Sequence, residues 1–304
     1  MNILISGSSG FIGKHLTKRF ESEGHSVVGL TSRNCDLTKQ GSLEKLKHAA
    51  YDLIFHLAAW TRAGDFCLHH GGEQWIVNQQ MNTNMLAWWN AFQPQAKLVA
   101  LGTSASYTME ENLVEGSYLQ GIPNEKFFPY AMSKRMLYVG LESFRKQFGK
   151  KYLYLVPSTV YGPEYHTDGR ELHFIYDLIR KILRGKKLGE EVVLWGDGQQ
   201  RRELVYIDDF VDILVKLASK HENDIVNIGG GEDYSIRQFA EMICEVVGYD
   251  VSRIKYDKDK YVGARSKILS VEKLSRLLPQ RRKTPIKEGI RLTIEWVEKT
   301  GLAS

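Results

Sequence analysis

The 304-residue sequence is short of the features that mark whole classes of protein. Its three cysteines, Cys35, Cys67 and Cys244, are an odd, scattered set in no metal-ligand spacing, so no disulfide framework or metal site is expected. They read as reduced thiols in a cytoplasmic setting. No apolar run approaches the roughly 18 residues that cross a bilayer. The opening MNILISGSSGFIG enters a strand-like run at once, without the basic region, hydrophobic stretch and cleavage site of a secretory signal. The net charge is only +5, and no dense Lys/Arg block is interleaved with stacking aromatics, so nucleic acid is not an expected partner. A mildly basic chain suits an anionic small substrate equally well. Repeats, low-complexity segments and Pro/Ser-rich linkers are lacking too.

What is present is a core-forming composition, 43% hydrophobic and 25% charged, long enough for one large domain or two smaller ones. In the first half, NILIS, SVVGLT, LIFHLAA, KLVALGT and YLYLVPSTVYG read as strands separated by helix-length segments. That alternation predicts an α/β fold: a doubly wound parallel sheet with helices on both faces and a ligand crevice at the strands' carboxyl ends. After Gly162-Pro163 the rhythm changes to an amphipathic helix, ELHFIYDLIRKIL, and a Gly-rich turn, WGDGQQRRE. DDFVDILVKLAS and DIVNIGGG read as a helix and strand returning to the sheet, with a mostly helical remainder. The expected division is residues 1–163 plus about 206–230 as the dinucleotide-binding domain. A smaller substrate lobe then takes about 164–205 plus 231–304.

Gly7, Gly10 and Gly13 follow the first strand and open a helix. This arrangement lets backbone N–H groups approach a pyrophosphate at a helix N-terminus. The second strand ends Leu30-Thr31-Ser32-Arg33, without the carboxylate that would accept hydrogen bonds from the ribose of NAD. A guanidinium there favours NADP(H), whereas Asp36 nearby keeps NAD(H) open. His69 and His70, in CLHHGGEQ, read as a mobile loop rather than a metal site.

PYAMSK places Tyr130 and Lys134 on one helix face, a spacing that by itself means little, since Tyr256 and Lys260 share it within the charge run KYDKDKY. Context separates the two pairs. A nicotinamide reductase needs an acid beside the carbonyl oxygen, and a tyrosine with a lysine nearby supplies one. Thr103, at the end of the fourth strand, can donate a second hydrogen bond to the same oxygen.

GSSGFIG, HLAA at 56–59, GTSASY, YAMSK, PSTVYGP, WGDGQQRRELVYIDD, NIGGGEDYSI and IKEGIRLTIEWV resemble, in order over nearly the whole chain, the extended short-chain dehydrogenases/reductases acting on nucleotide sugars. The resemblance implies a Rossmann fold and a catalytic set of Thr103, Tyr130 and Lys134. It also implies a coenzyme held by Gly7, Ser9, Gly10, Phe11, Ile12 and Gly13, by Arg33, by Leu57, Ala58 and Ala59, and by Tyr130 and Lys134. Arg202 matches the family's substrate-phosphate arginine, with Trp195 shaping that pocket, Ser104 and Ala105 beside the sugar, and Arg265, Arg201, Arg180 and Lys181 as helpers or plain surface charge.

The most similar branch is that of the GDP-fucose synthases, which epimerise and then reduce a 4-ketosugar. Their epimerising cysteine is matched here by Ala105, which cannot take a proton, while their histidine acid is matched by His173, alternatively a packed helix residue. The Asp-Glu pair of related dehydratases is replaced by Ser104 and Ala105, and Thr159 stands where the family usually has Asn. The expected activity is therefore NADPH-dependent reduction of the 4-keto group of a GDP- or CDP-linked 6-deoxysugar. An NAD-dependent epimerase is the alternative, and a non-catalytic cofactor sensor a third reading. The segments QWIVNQQMNTNMLAWWNAF and YAMSKRMLYVGLESF suit either a homodimer seam or packing against the sheet.

Overall fold

The computed structural model describes residues 1–108, 113–260 and 264–302. In chain order the first half comprises β1 (Asn2–Ser6), α1 (Phe11–Ser22), β2 (Ser26–Leu30), β3 (Leu53–His56), the short α2 (Phe66–His69) and α3 (Gly71–Phe92). β4 (Lys97–Leu101), α4 (Phe128–Phe148), β5 (Tyr152–Pro157) and β6 (Thr159–Tyr161) follow. The second half comprises α5 (Phe174–Leu188), β7 (Val193–Trp195), β8 (Arg201–Tyr206), α6 (Ile207–Lys220), β9 (Asp224–Ile228), β10 (Asp233–Ser235) and α7 (Ile236–Val247). It closes with β11 (Lys255–Asp257), β12 (Ser266–Lys267), α8 (Glu272–Leu277) and α9 (Ile286–Thr300).

Six strands form one parallel sheet in the order β2-β1-β3-β4-β5-β9. Successive side chains of a strand point to opposite faces, so Ile3 and Ile5 join Leu16 and Phe20 of α1 on one side. Leu4 and Ile54 join Met85 and Trp89 of α3 on the other. Both faces are covered, as a parallel sheet requires. α3 and α4 lie together on the second face.

Three expectations need correction. YLYLVPSTVYG is two strands rather than one. β5 ends at Pro157, and β6 leaves the large sheet to pair with β8. WGDGQQRRE is only partly a turn, because Arg201 and Arg202 already pair with β10 and β12. His69 and His70 do not sit in a loop: His69 ends α2 and His70 pairs with Glu73 at 2.8 Å at the start of α3. Much of the Met- and Trp-rich content of α3 is core packing, since Met81, Met85, Trp88 and Trp89 are buried.

Candidate active site

The glycine turn is shaped by close approach. Gly7 has φ of +70°, and a Cβ there would lie 2.9 Å from the amide nitrogen of Ala58. A Cβ on Gly13 would come within 2.1 Å of the Gly7 carbonyl oxygen. α1 then starts with Gly10 as its N-cap and no side chain capping it, so its first amides point outward beside exposed Ser9. Leu57, Ala58 and Ala59 leave β3 against this turn, the Ala58 amide donating to Ser6 Oγ at 3.3 Å. Phe11 and Ile12 pack on the adjoining core. A bare-backbone cradle of this kind fits the pyrophosphate of a dinucleotide.

Thr103 follows β4 and caps the turn Ser104–Ser106, its Oγ1 accepting the Ala105 amide at 3.2 Å. With that lone pair engaged, the hydroxyl proton is free to be donated. Pro129 stands in the first turn of α4, where its missing N–H costs nothing, and Tyr130 and Lys134 follow on consecutive turns. Lys134 is 3% exposed, and its ammonium lies 5.8 Å from the centre of the Tyr130 ring. Burial pushes the Tyr130 phenol well above its ordinary value, with Tyr118 and Cys67 adding to the effect. Burial also lowers Lys134 to about 8. In both groups burial favours the neutral form.

Behind them, buried His56 joins Ser6 Oγ (2.9 Å) to Asn82 (3.0 Å), and burial lowers its imidazole to about 4, fixing it neutral. The other pair with the same spacing is arranged differently: Tyr256 lies in β11 under the Arg237 guanidinium and Lys260 in a bend. Tyr261, at the end of that charge run, lies outside the described residues.

On the second sheet, Arg202 on β8 pairs in register with Lys267 on β12. Lys267 Nζ lies 5.8 Å from the Phe127 ring centre, at the start of α4. Burial, then the Arg202 charge, lowers Lys267 to about 8. Its place was not legible in the sequence, because a two-residue strand has no pattern of its own. His173 is the residue before α5 rather than on its face. Its surface is exposed, yet desolvation by the surrounding protein, then the His166 and Lys267 charges, lower its imidazole to about 4. Trp195 is exposed beside a cavity of about 460 Å³ lined also by Arg180, Lys181 and Arg184. Arg265 is exposed, its carbonyl accepting the Arg201 amide at 2.8 Å. Arg33 is exposed beyond β2. Among the described residues no cluster of three or more His, Cys, Asp or Glu side chains could hold a metal.

Residues 3–229 match the NAD dependent epimerase/dehydratase family. The chain belongs to that family. It is 30% identical over 287 residues to a GDP-L-fucose synthase of Sinorhizobium fredii, covering 90% of this chain and 88% of that one. It is 28% identical over 284 residues to the GDP-L-colitose synthase of Yersinia pseudotuberculosis, covering 90% and 91%. The crystal structure of a UDP-glucose 4-epimerase from Thermotoga maritima superposes with a TM-score of 0.85 at 27% identity over 99% of both chains. The chain is thus an NAD(P)-dependent oxidoreductase or epimerase of nucleotide sugars, built on the Rossmann fold that this epimerase/dehydratase family shares. No helix among the described residues is long and apolar enough to cross a membrane.

Proposed function

We infer that the protein reduces the 4-keto group of a nucleoside-diphosphate 6-deoxysugar, with NADPH as the electron donor. The observation that carries this reading is the turn after Thr103. Tyr130, Lys134 and Thr103 can together protonate a carbonyl oxygen, while Ala105, two residues after Thr103, has no side chain able to take a carbon-bound proton and only donates its amide to Thr103 Oγ1. The names of the fucose and colitose synthases support a GDP-linked sugar.

The Gly7–Gly13 turn would hold the coenzyme's pyrophosphate, and the coenzyme, when bound, would supply a hydride. Tyr130 gives its phenolic proton to the carbonyl oxygen, so the carbonyl gains one hydride and one proton and becomes an alcohol. Thr103 donates a hydrogen bond to that oxygen and fixes its direction. The buried Lys134 ammonium stabilises the phenolate left behind. Arg202 and Lys267 suit a diphosphate, and the cavity beside Trp195, Arg180 and Lys181 suits the nucleoside.

Two details favour the 2′-phosphate of NADPH over NADH. Asp36 already accepts hydrogen bonds from Thr38, the amide at 3.0 Å and the hydroxyl at 2.7 Å, so that carboxylate oxygen is engaged within its own loop. Arg33, by contrast, pairs with no carboxylate among the described residues. A homodimer through α3 and α4 is supported by the exposed apolar Ile76, Met136 and Val139 on those helices, and sedimentation would read it directly. The deciding assay follows NADPH oxidation with GDP- and CDP-linked 4-keto-6-deoxysugars in deuterated water. Consumption without solvent deuterium at C3 or C5 is expected. Label at those carbons would reject simple reduction and favour the epimerase.

A further inference from the structure

Arg135 follows Lys134 on α4 and is 4% exposed, and no carboxylate pairs with it among the described residues. Its Nε and Nη2 donate to the Ser106 carbonyl (2.9 and 2.5 Å), Nη1 to that of Gly121 (2.7 Å) and Nη2 also to that of Gln120 (2.7 Å). Burying a cation against carbonyls alone carries a desolvation cost that an apolar side chain would not. What the planar fork gives in return is geometry, because its donors fix several chain segments relative to one helix.

One of those segments is the turn after Thr103. The other is a strap, residues 113–121. In the strap, the Tyr118 hydroxyl meets Ser106 Oγ at 3.1 Å and the Tyr154 hydroxyl at 3.0 Å, and Tyr154 donates to the Lys134 carbonyl at 2.7 Å. A Cβ on Gly102 would lie 2.8 Å from the Tyr118 hydroxyl, so this phenol abuts the strand end that delivers Thr103. The strap's other end reaches the small lobe. Leu113 bridges Leu269 in parallel, and its carbonyl accepts the Ser270 amide at 3.0 Å. The Leu269 amide donates to the buried Glu203 carboxylate at 2.7 Å, next to Arg202, and Lys267 lies two residues before Leu269.

We propose that Arg135 is a positioning residue: by clamping the strap to α4 it sets the separation between Tyr130 and the Arg202–Lys267 pair. It thereby sets the register of a nucleotide-linked substrate across the cleft. This rests on the reading that Arg202 and Lys267 hold the diphosphate. A displacement of about 1 Å at a reacting centre can cost on the order of 100-fold in rate. The clamp should therefore be felt in turnover and not in coenzyme affinity.

The test compares wild type with Arg135→Gln, Arg135→Lys and Tyr118→Phe, the last removing a single oxygen and serving should the charge variants fold poorly. The expected result is NADPH affinity within about two-fold of wild type, kcat lowered roughly 10- to 100-fold in Arg135→Gln, and partial recovery in Arg135→Lys. In the NADPH complex, hydrogen exchange at Leu269 and Ser270 should rise together with that at 113–121. Unchanged kcat with only a lower Tm would overturn the proposal, as would faster exchange confined to 104–108 and 113–121. If wild type reduces no ketosugar, the reductase reading falls, and the exchange pattern alone decides the clamp.

Discussion

Lys134 is held where its charge is costly, and replacing it should separate stability from activity. Burial lowers its ammonium from 10.5 to about 8. Below pH 8 the folded and unfolded chains both carry the proton, and the folded one bears the full desolvation cost. Between about 8 and 10.5 the folded chain has lost the proton while the unfolded chain keeps it, so stability rises with pH across that window. At about 1.4 kcal/mol per pH unit the whole effect is roughly 3 kcal/mol. Lys134→Met keeps the length of the side chain and drops the charge. At pH 7 the coenzyme-free variant should be more stable than wild type by up to about 3 kcal/mol, and this advantage should shrink by about 2 kcal/mol at pH 9.5. Its turnover should be lost. Urea unfolding of both proteins at the two pH values reads the difference directly. A variant no more stable than wild type at pH 7, or a gap that does not change with pH, would refute the argument that this lysine is retained for chemistry at a cost to the fold.

Tyr130→Phe should lower turnover about 10²- to 10⁴-fold while NADPH titration by fluorescence gives nearly wild-type affinity. Thr103→Ala should cost roughly 10²-fold in kcat, and Thr103→Ser should recover most of it, because the donated hydrogen bond returns. Removing the guanidinium with Arg33→Ala should weaken NADPH about 10- to 100-fold and leave NADH little changed, since one charge-assisted contact is worth about 1.5–3 kcal/mol. Gly13→Ala should abolish tight coenzyme binding in calorimetry, because its Cβ would sit 2.1 Å from the Gly7 carbonyl oxygen.

The parts of this site legible in the sequence are those fixed by local chemistry. Gly7 and Gly13 read as a turn because only glycine fits there, and Tyr130 with Lys134 read as a helix pair behind a proline. The main sheet was legible because each buried parallel strand is a continuous apolar run. What escaped depends on distant partners. β6 changes sheets because β8 is there to receive it, and β10 to β12 are two or three residues long. Lys267 lies in an ordinary stretch, and Glu203 and Arg135, although inside or beside recognisable motifs, acquire the neighbours that matter only on folding. The exposed face of α4 and the buried one cannot be told apart from a Met- and aromatic-rich segment until the sheet beneath is placed.

The most direct measurement of the central claim supplies NADPH carrying deuterium at both C4 positions of the nicotinamide and a nucleotide-linked 4-keto-6-deoxysugar, then locates the label by NMR. One deuterium at C4 of each product sugar, formed about 10²- to 10⁴-fold more slowly with Tyr130→Phe, is the predicted result. Sugar turnover with all deuterium still on the coenzyme would contradict it.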